Sequence, residues 1–260
     1  MSKALNFSRS TYESYAEFVK TKSANIGKYF YDSKFIMSNS LALLEISPCF
    51  EIACLKHAEI PADKILDDVT PFLQKCATIS IDYFWQLDNK SGKYIRQSVE
   101  WAFVYPMSLM CSLWLAEETS IFRIAEWSNE TIEYQPDADM SKMDTLFFII
   151  LSRFICSGTL SNNKHLIEII RSNKARRPKL LVDVLEAIEQ KDTLLFQNTL
   201  EKYIKHYIKN EVDSNSIEGS ISLYASLVWE TARYEGLVLP SFPEDIMDRI
   251  VTRESIGCDK

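Results

Sequence analysis

Glycine is scarce, six in 260 residues. Loops that cradle phosphate need it, because only a residue without a Cβ lets successive backbone N–H groups close on a pyrophosphate. The chain contains no GxGxxG, no GxxxxGK[ST] and no GxSxG nucleophile elbow, so nucleotide binding and acyl transfer of those kinds lose their local basis. Histidine is scarcer still, with only His57, His165 and His206. Neither HExxH nor paired CxxC motifs occur, and the two short pairings, Cys54 with His57 and His165 with Glu168, each lack a third and fourth ligand. No metal or cofactor site is expected. Long apolar runs are also missing. The longest, Leu146–Leu151, falls far below the roughly 20 residues a membrane span needs. The opening MSKALNFSRSTYESYAEF is polar and carries no export signal. The expectation is a cytoplasmic protein, and its irregularly spaced cysteines (49, 54, 76, 111, 156, 258) read as reduced, buried thiols.

Period-two alternation with turn dipeptides is absent, which argues against strands. What remains is helical periodicity. Expected helices cover 11–20, 24–37, 41–58, 62–87 with a break at TPF, and 94–116 with a kink at Pro106. Further along they cover 120–132, 142–157, 162–172, 179–190, 193–209 and 217–235, with a short 243–252 tail. The fold class is therefore all-α, about 10–12 helices arranged as stacked antiparallel hairpins of tetratricopeptide-like type. Residues 1–40 form an N-terminal helical arm on a main domain of 41–260, the whole being one compact unit.

The segment LEAIEQKDTLLFQNTLEKYIKH (185–206) shows how such a hairpin is written. Leu181, Val184, Leu185 and Ile188 repeat at i, i+3, i+4, i+7, and Phe196, Leu200, Tyr203, Ile204 and Tyr207 form a second stripe. Asp192 stands where a carboxylate can accept from the unpaired N–H groups of the second helix. Glu186, Glu189 and His206 lie off or beside the stripes, so they read as surface groups and not as an acid/base apparatus. No catalytic residue is assigned. An enzyme with an inter-helix pocket near His57 or His206 is the least favoured alternative.

Charge divides unevenly. The net charge of −7 comprises +3 over residues 1–40, −8 over 41–160 and −2 over 161–260. Residues 117–144 hold eight acids against Arg123 and Lys142. Such a field repels nucleic acid and attracts basic partners. The basic run 164–180, KHLIEIIRSNKARRPKL, lacks the interleaved aromatics that stack bases and reads as a solvated helix end followed by a helix beginning at Pro178. Within the acidic stretch the expected partner-binding residues are Glu130, Glu133, Tyr134, Asp137 and Asp139, four charges around an aromatic anchor.

Three places resemble the immunity protein 49 family of bacterial polymorphic toxin systems. They are YIRQSVEWAFVYPMSLMCSLWLAEETSIFRIAEW, VLEAIEQKDTLLFQNTLEKYIKHY and ISLYASLVWETARYEGLVLPSFPEDIM, spread over 94–247. The resemblance implies an all-α, non-enzymatic protein that binds the catalytic domain of a cognate toxin and so protects its producer. It supplies no catalytic motif and no contact residues. The toxin partner is expected to be basic, with no nucleic acid and no membrane involved. A helical-repeat adaptor for a cytoplasmic partner is the alternative.

Overall fold

In a computed structural model, residues 109–131, 141–211, 222–255 and 258 are described. The expected arm 1–40 and the expected helices before residue 109 lie outside them. Residues 109–115 are helical. They are followed by α1 (Glu118–Thr131), α2 (Ser141–Ser157), a 3-10 turn (Ser161–Asn163) leading into α3 (Lys164–Ser172), α4 (Arg176–Glu189), α5 (Thr193–Asn210), α6 (Leu223–Tyr234) and a single turn, α7 (Glu244–Met247). Among the described residues there is no strand, and the all-α class stands for them.

Helix ends follow from backbone chemistry. After 109–115, α4 and α6, the chain turns through a left-handed residue: Ala116 (φ 52°), Lys191 (φ 53°) and Gly236 (φ 74°). Each turn is closed by the same two bonds. Glu117 N donates to Ser112 O (3.2 Å), Asp192 N to Ala187 O (3.2 Å) and Leu237 N to Ala232 O (2.9 Å), with a shorter loop nested inside each. This arrangement satisfies carbonyls that a helix end leaves unpaired. Gly158 (φ 67°) ends α2 with one bond to Phe154 O. Asp192 then caps α5, its carboxylate accepting from Leu195 N at 2.9 Å.

The expected stripes of the α4–α5 hairpin are its buried face. Leu181, Val184, Leu185 and Ile188 are buried, as are Phe196, Leu200, Tyr203, Ile204 and Tyr207. α4 packs most extensively on α5 and also touches α2, α3 and α6, while α1 packs on α2. Leu146–Leu151 are all buried, so α2 runs through the interior, and so does α6 from Ala225 to Ala232. Phe147, Phe148 and Tyr224 join the two, with the Phe148 and Tyr224 rings stacked at 5.5 Å. Cys111 is buried, and Cys156 and Cys258 half-buried.

The expected short tail over 243–252 closes the chain against α6. Beyond one helical turn, Glu244–Met247, its backbone leaves helical pairing for partners on α6. Ser222 N donates to Arg249 O (2.9 Å), Ser226 Oγ accepts from Val251 N (2.8 Å), and Glu230 Oε1 accepts from Arg253 N (2.9 Å). Trp114 Nε1 donates to Val251 O at 3.3 Å. Three polar side chains or backbone groups at i, i+4, i+8 along one helix thus read an extended strap.

Candidate functional site

Of the expected contact residues, Glu130 falls in the last turn of α1. Glu133, Tyr134, Asp137 and Asp139 lie outside the described residues, so their spatial relation is not part of the geometry. What α1 does present is Glu118 and Phe122 to solvent, one helical turn apart.

Elsewhere several titratable groups are engaged with one another. Arg177, the second residue of α4, reaches three other helix ends. Its Nε donates to Asp144 Oδ1 at 3.2 Å while Nη2 pairs with Oδ2, and Nη1 donates to Glu211 Oε2 at 2.9 Å. The guanidinium carbon lies 5.0 Å from the centre of the Tyr224 ring. Burial works against this cation, but Tyr224, Asp144 and Glu211 outweigh it and hold the proton above the ordinary arginine range. Burial likewise raises the Tyr224 phenol, with Asp144 adding to the shift. Glu211 Oε1 faces His206 Nε2 at 3.9 Å, and Asn210 Nδ2 sits 2.8 Å from His206 Nδ1. Tyr203, fully buried, shares a 2.9 Å hydrogen bond with Ser222, which also caps α6.

The carboxylates of α4 in the α4–α5 hairpin have structural partners. Arg171 Nη2 donates to Glu186 (2.7 Å) and Asp183 (2.9 Å). Glu189 Oε1 accepts from Thr159 Oγ1 and Leu160 N, both at 2.7 Å, tying the end of α2 to the end of α4. The basic run 164–180 is thus more than a solvated end: Arg171 and Arg177 are two of its ion-pair anchors. Between α3 and α4 lies an open cleft of about 410 Å³ lined by Ile167, Lys164, Arg171, Glu186 and Glu189 among others. Of its carboxylates, Glu186 and Glu189 accept hydrogen bonds, and Glu168 stands at the exposed edge. His165 and Glu168 are exposed on α3, and Cys54 and His57 lie outside the described residues. Among the described residues no three His, Cys, Asp or Glu side chains gather closely enough to hold a metal ion, and no helix is long and apolar enough to cross a membrane.

The least expected group is Glu230, 1% exposed. Burial raises its carboxyl to about 7, against the opposing pull of Arg233 and the Arg253 amide. Arg233 Nε lies 3.3 Å from Glu230 Oε2 and its Nη2 pairs with Glu254. A polar repeat, Ser222, Ser226 and Glu230, in an otherwise apolar helix was the available signal. Arg177 carried none, since Asp144 stands 33 positions away. Compared with protein families, characterised proteins and solved structures, the chain matches none.

Proposed function

We propose that this protein is an immunity protein that binds a cognate toxin and neutralises it by protein–protein contact in the cytoplasm of its producer, as the resemblance implies. The observation that carries the reading is the acidic stretch 117–144, whose first helix turns Glu118 and Phe122 outward. Acidic groups around an aromatic anchor suit a cationic surface, such as one that handles an anionic substrate. The α1–α2 and α4–α5 pairs are the units of the proposed stacked-hairpin array. In this reading Glu130, Glu133, Asp137 and Asp139 steer the toxin and Tyr134 anchors it.

The test is co-expression with the toxin domain encoded beside the gene. The wild-type chain should restore growth. The D137K/D139K variant should associate at least tenfold more slowly at low salt, the deficit shrinking as salt screens both proteins. Unchanged protection and association by that variant would remove the acidic segment from the interface. No rescue by the wild-type chain, with an endogenous protein captured instead, would favour an adaptor.

A further inference from the structure

Four large apolar side chains are exposed among the described residues: Phe122 (43%), Leu194 (67%), Tyr234 (36%) and Val238 (76%). They come from three separate parts of the chain, yet the contacts bring them to one end of the bundle. Leu194 is the second residue of α5, and its neighbour Thr193 donates to Val238 O at 2.8 Å. Lys191, in the α4–α5 turn, pairs with Glu235 at 3.4 Å, next to Tyr234 at the end of α6. The start of α1 comes to the same side through Trp114, which stands four residues before Glu118 and donates to Val251 O on the strap bound to α6. Glu118 is close enough to add, after burial and Glu235, to the raised Tyr234 hydroxyl. Phe122 follows Glu118 by one turn on the same side of α1. The opposite end of the bundle carries the Arg177 ion pairs.

The geometry points to this end as a docking face for a basic, amphipathic segment of another protein. Exposed apolar side chains gathered at one end, rather than scattered singly, mark an interaction site. The rim selects the occupant by net sign: five acids at these helix ends, Glu118 and Asp192 exposed and Glu117, Glu189 and Glu235 half-buried, stand against two cations, Lys191, which pairs with Glu235, and Arg123. Apolar anchors would bury against Leu194, Val238, Phe122 and Tyr234, and lysines or arginines would meet Glu118 and its neighbours. The face shares Glu118 and Phe122 with the proposed function, but its test uses a synthetic helix and does not require a toxin.

Fluorescence anisotropy on the full chain tests it with a synthetic leucine/lysine amphipathic helix and a twin in which glutamate replaces lysine. The lysine peptide should bind. L194S/V238S should weaken it at least tenfold with thermal unfolding unchanged, since both side chains are exposed. Glu118→Lys should weaken it severalfold and Glu168→Lys, the same charge change on α3, should not. The glutamate twin should fail to bind. The inference is overturned if the lysine peptide does not bind, if L194S/V238S or the glutamate twin binds as well as the parent pair, or if Glu168→Lys is as damaging as Glu118→Lys. It is also overturned if sedimentation shows a wild-type dimer that L194S/V238S dissociates, because the occupant would then be a second copy.

Discussion

Glu230 is a carboxyl held in the interior by the strap it binds. Its folded value of about 7 lies above the ordinary 4.5, so between those pH values the folded chain holds a proton that the unfolded chain has lost. Stability from this group is present below pH 4.5 and falls as pH rises to about 7, by at most roughly 3 kcal/mol. Glu254 shifts the other way, lowered despite partial burial by Thr252 and Arg233. Its contribution is lost only on further acidification, outside that window. Denaturant unfolding at pH 5 and pH 8 separates the two. The wild-type chain should be less stable at pH 8, and Glu230→Gln, which keeps an acceptor for Arg253 N, should flatten the difference. An equal slope in both proteins would show that Glu230 does not titrate in that range.

At the scale of elements, four left-handed residues end four helices, but only two of the four are glycine. Ala116 bears the steric cost of a Cβ in that region, about 1 kcal/mol or slightly more. Ala116→Gly should therefore raise stability by about 1 kcal/mol, and Gly158→Ala should lower it by a similar amount. No heavy atom stands within 4 Å of a Cβ built at Gly158, so that loss would be conformational alone. Thermal unfolding of both variants checks the pair, and a neutral Ala116→Gly would mean the turn relaxes. These ends explain what could be read in advance. The α4–α5 hairpin was legible because a one-sided stripe and a short carboxylate at the cap position are local, and both survive packing. The expected helices 142–157 and 217–235 end just before Gly158 and Gly236 for the same reason. Ala116 gave no such sign. Where the tail docks was not legible, because its partner, the Ser222–Ser226–Glu230 face, belongs to another element and offers bonds that a local pattern cannot reveal. The expected contact residues beyond Glu130 lie outside the described residues, so the acidic segment stands as composition rather than geometry.

At the scale of the molecule, the two ends of the bundle differ in kind. One gathers exposed apolar side chains, whereas the other is joined by a single cation. Arg177 at the start of α4 holds Asp144 near the start of α2, Glu211 at the close of α5 and Tyr224 at the start of α6. Local helix packing does not require this, and the cost of dehydrating three charges is offset only while the guanidinium fork is in place. Arg177→Met should therefore lower stability by about 3 kcal/mol, the low end for a broken buried pair because the arginine remains partly exposed. The loss should appear as one shifted cooperative transition rather than as fraying of α4, since four helices share the cation. Arg177→Lys should recover only part of it, because an ammonium has no planar fork to serve Asp144 twice and Glu211 at once. The double variant R177M/D144L removes the stranded carboxylate along with its partner, so it should be less destabilised than the sum of its single changes. Full recovery by lysine, or strict additivity in the double variant, would mean that the helix ends are held by apolar packing and that the charges merely accompany it.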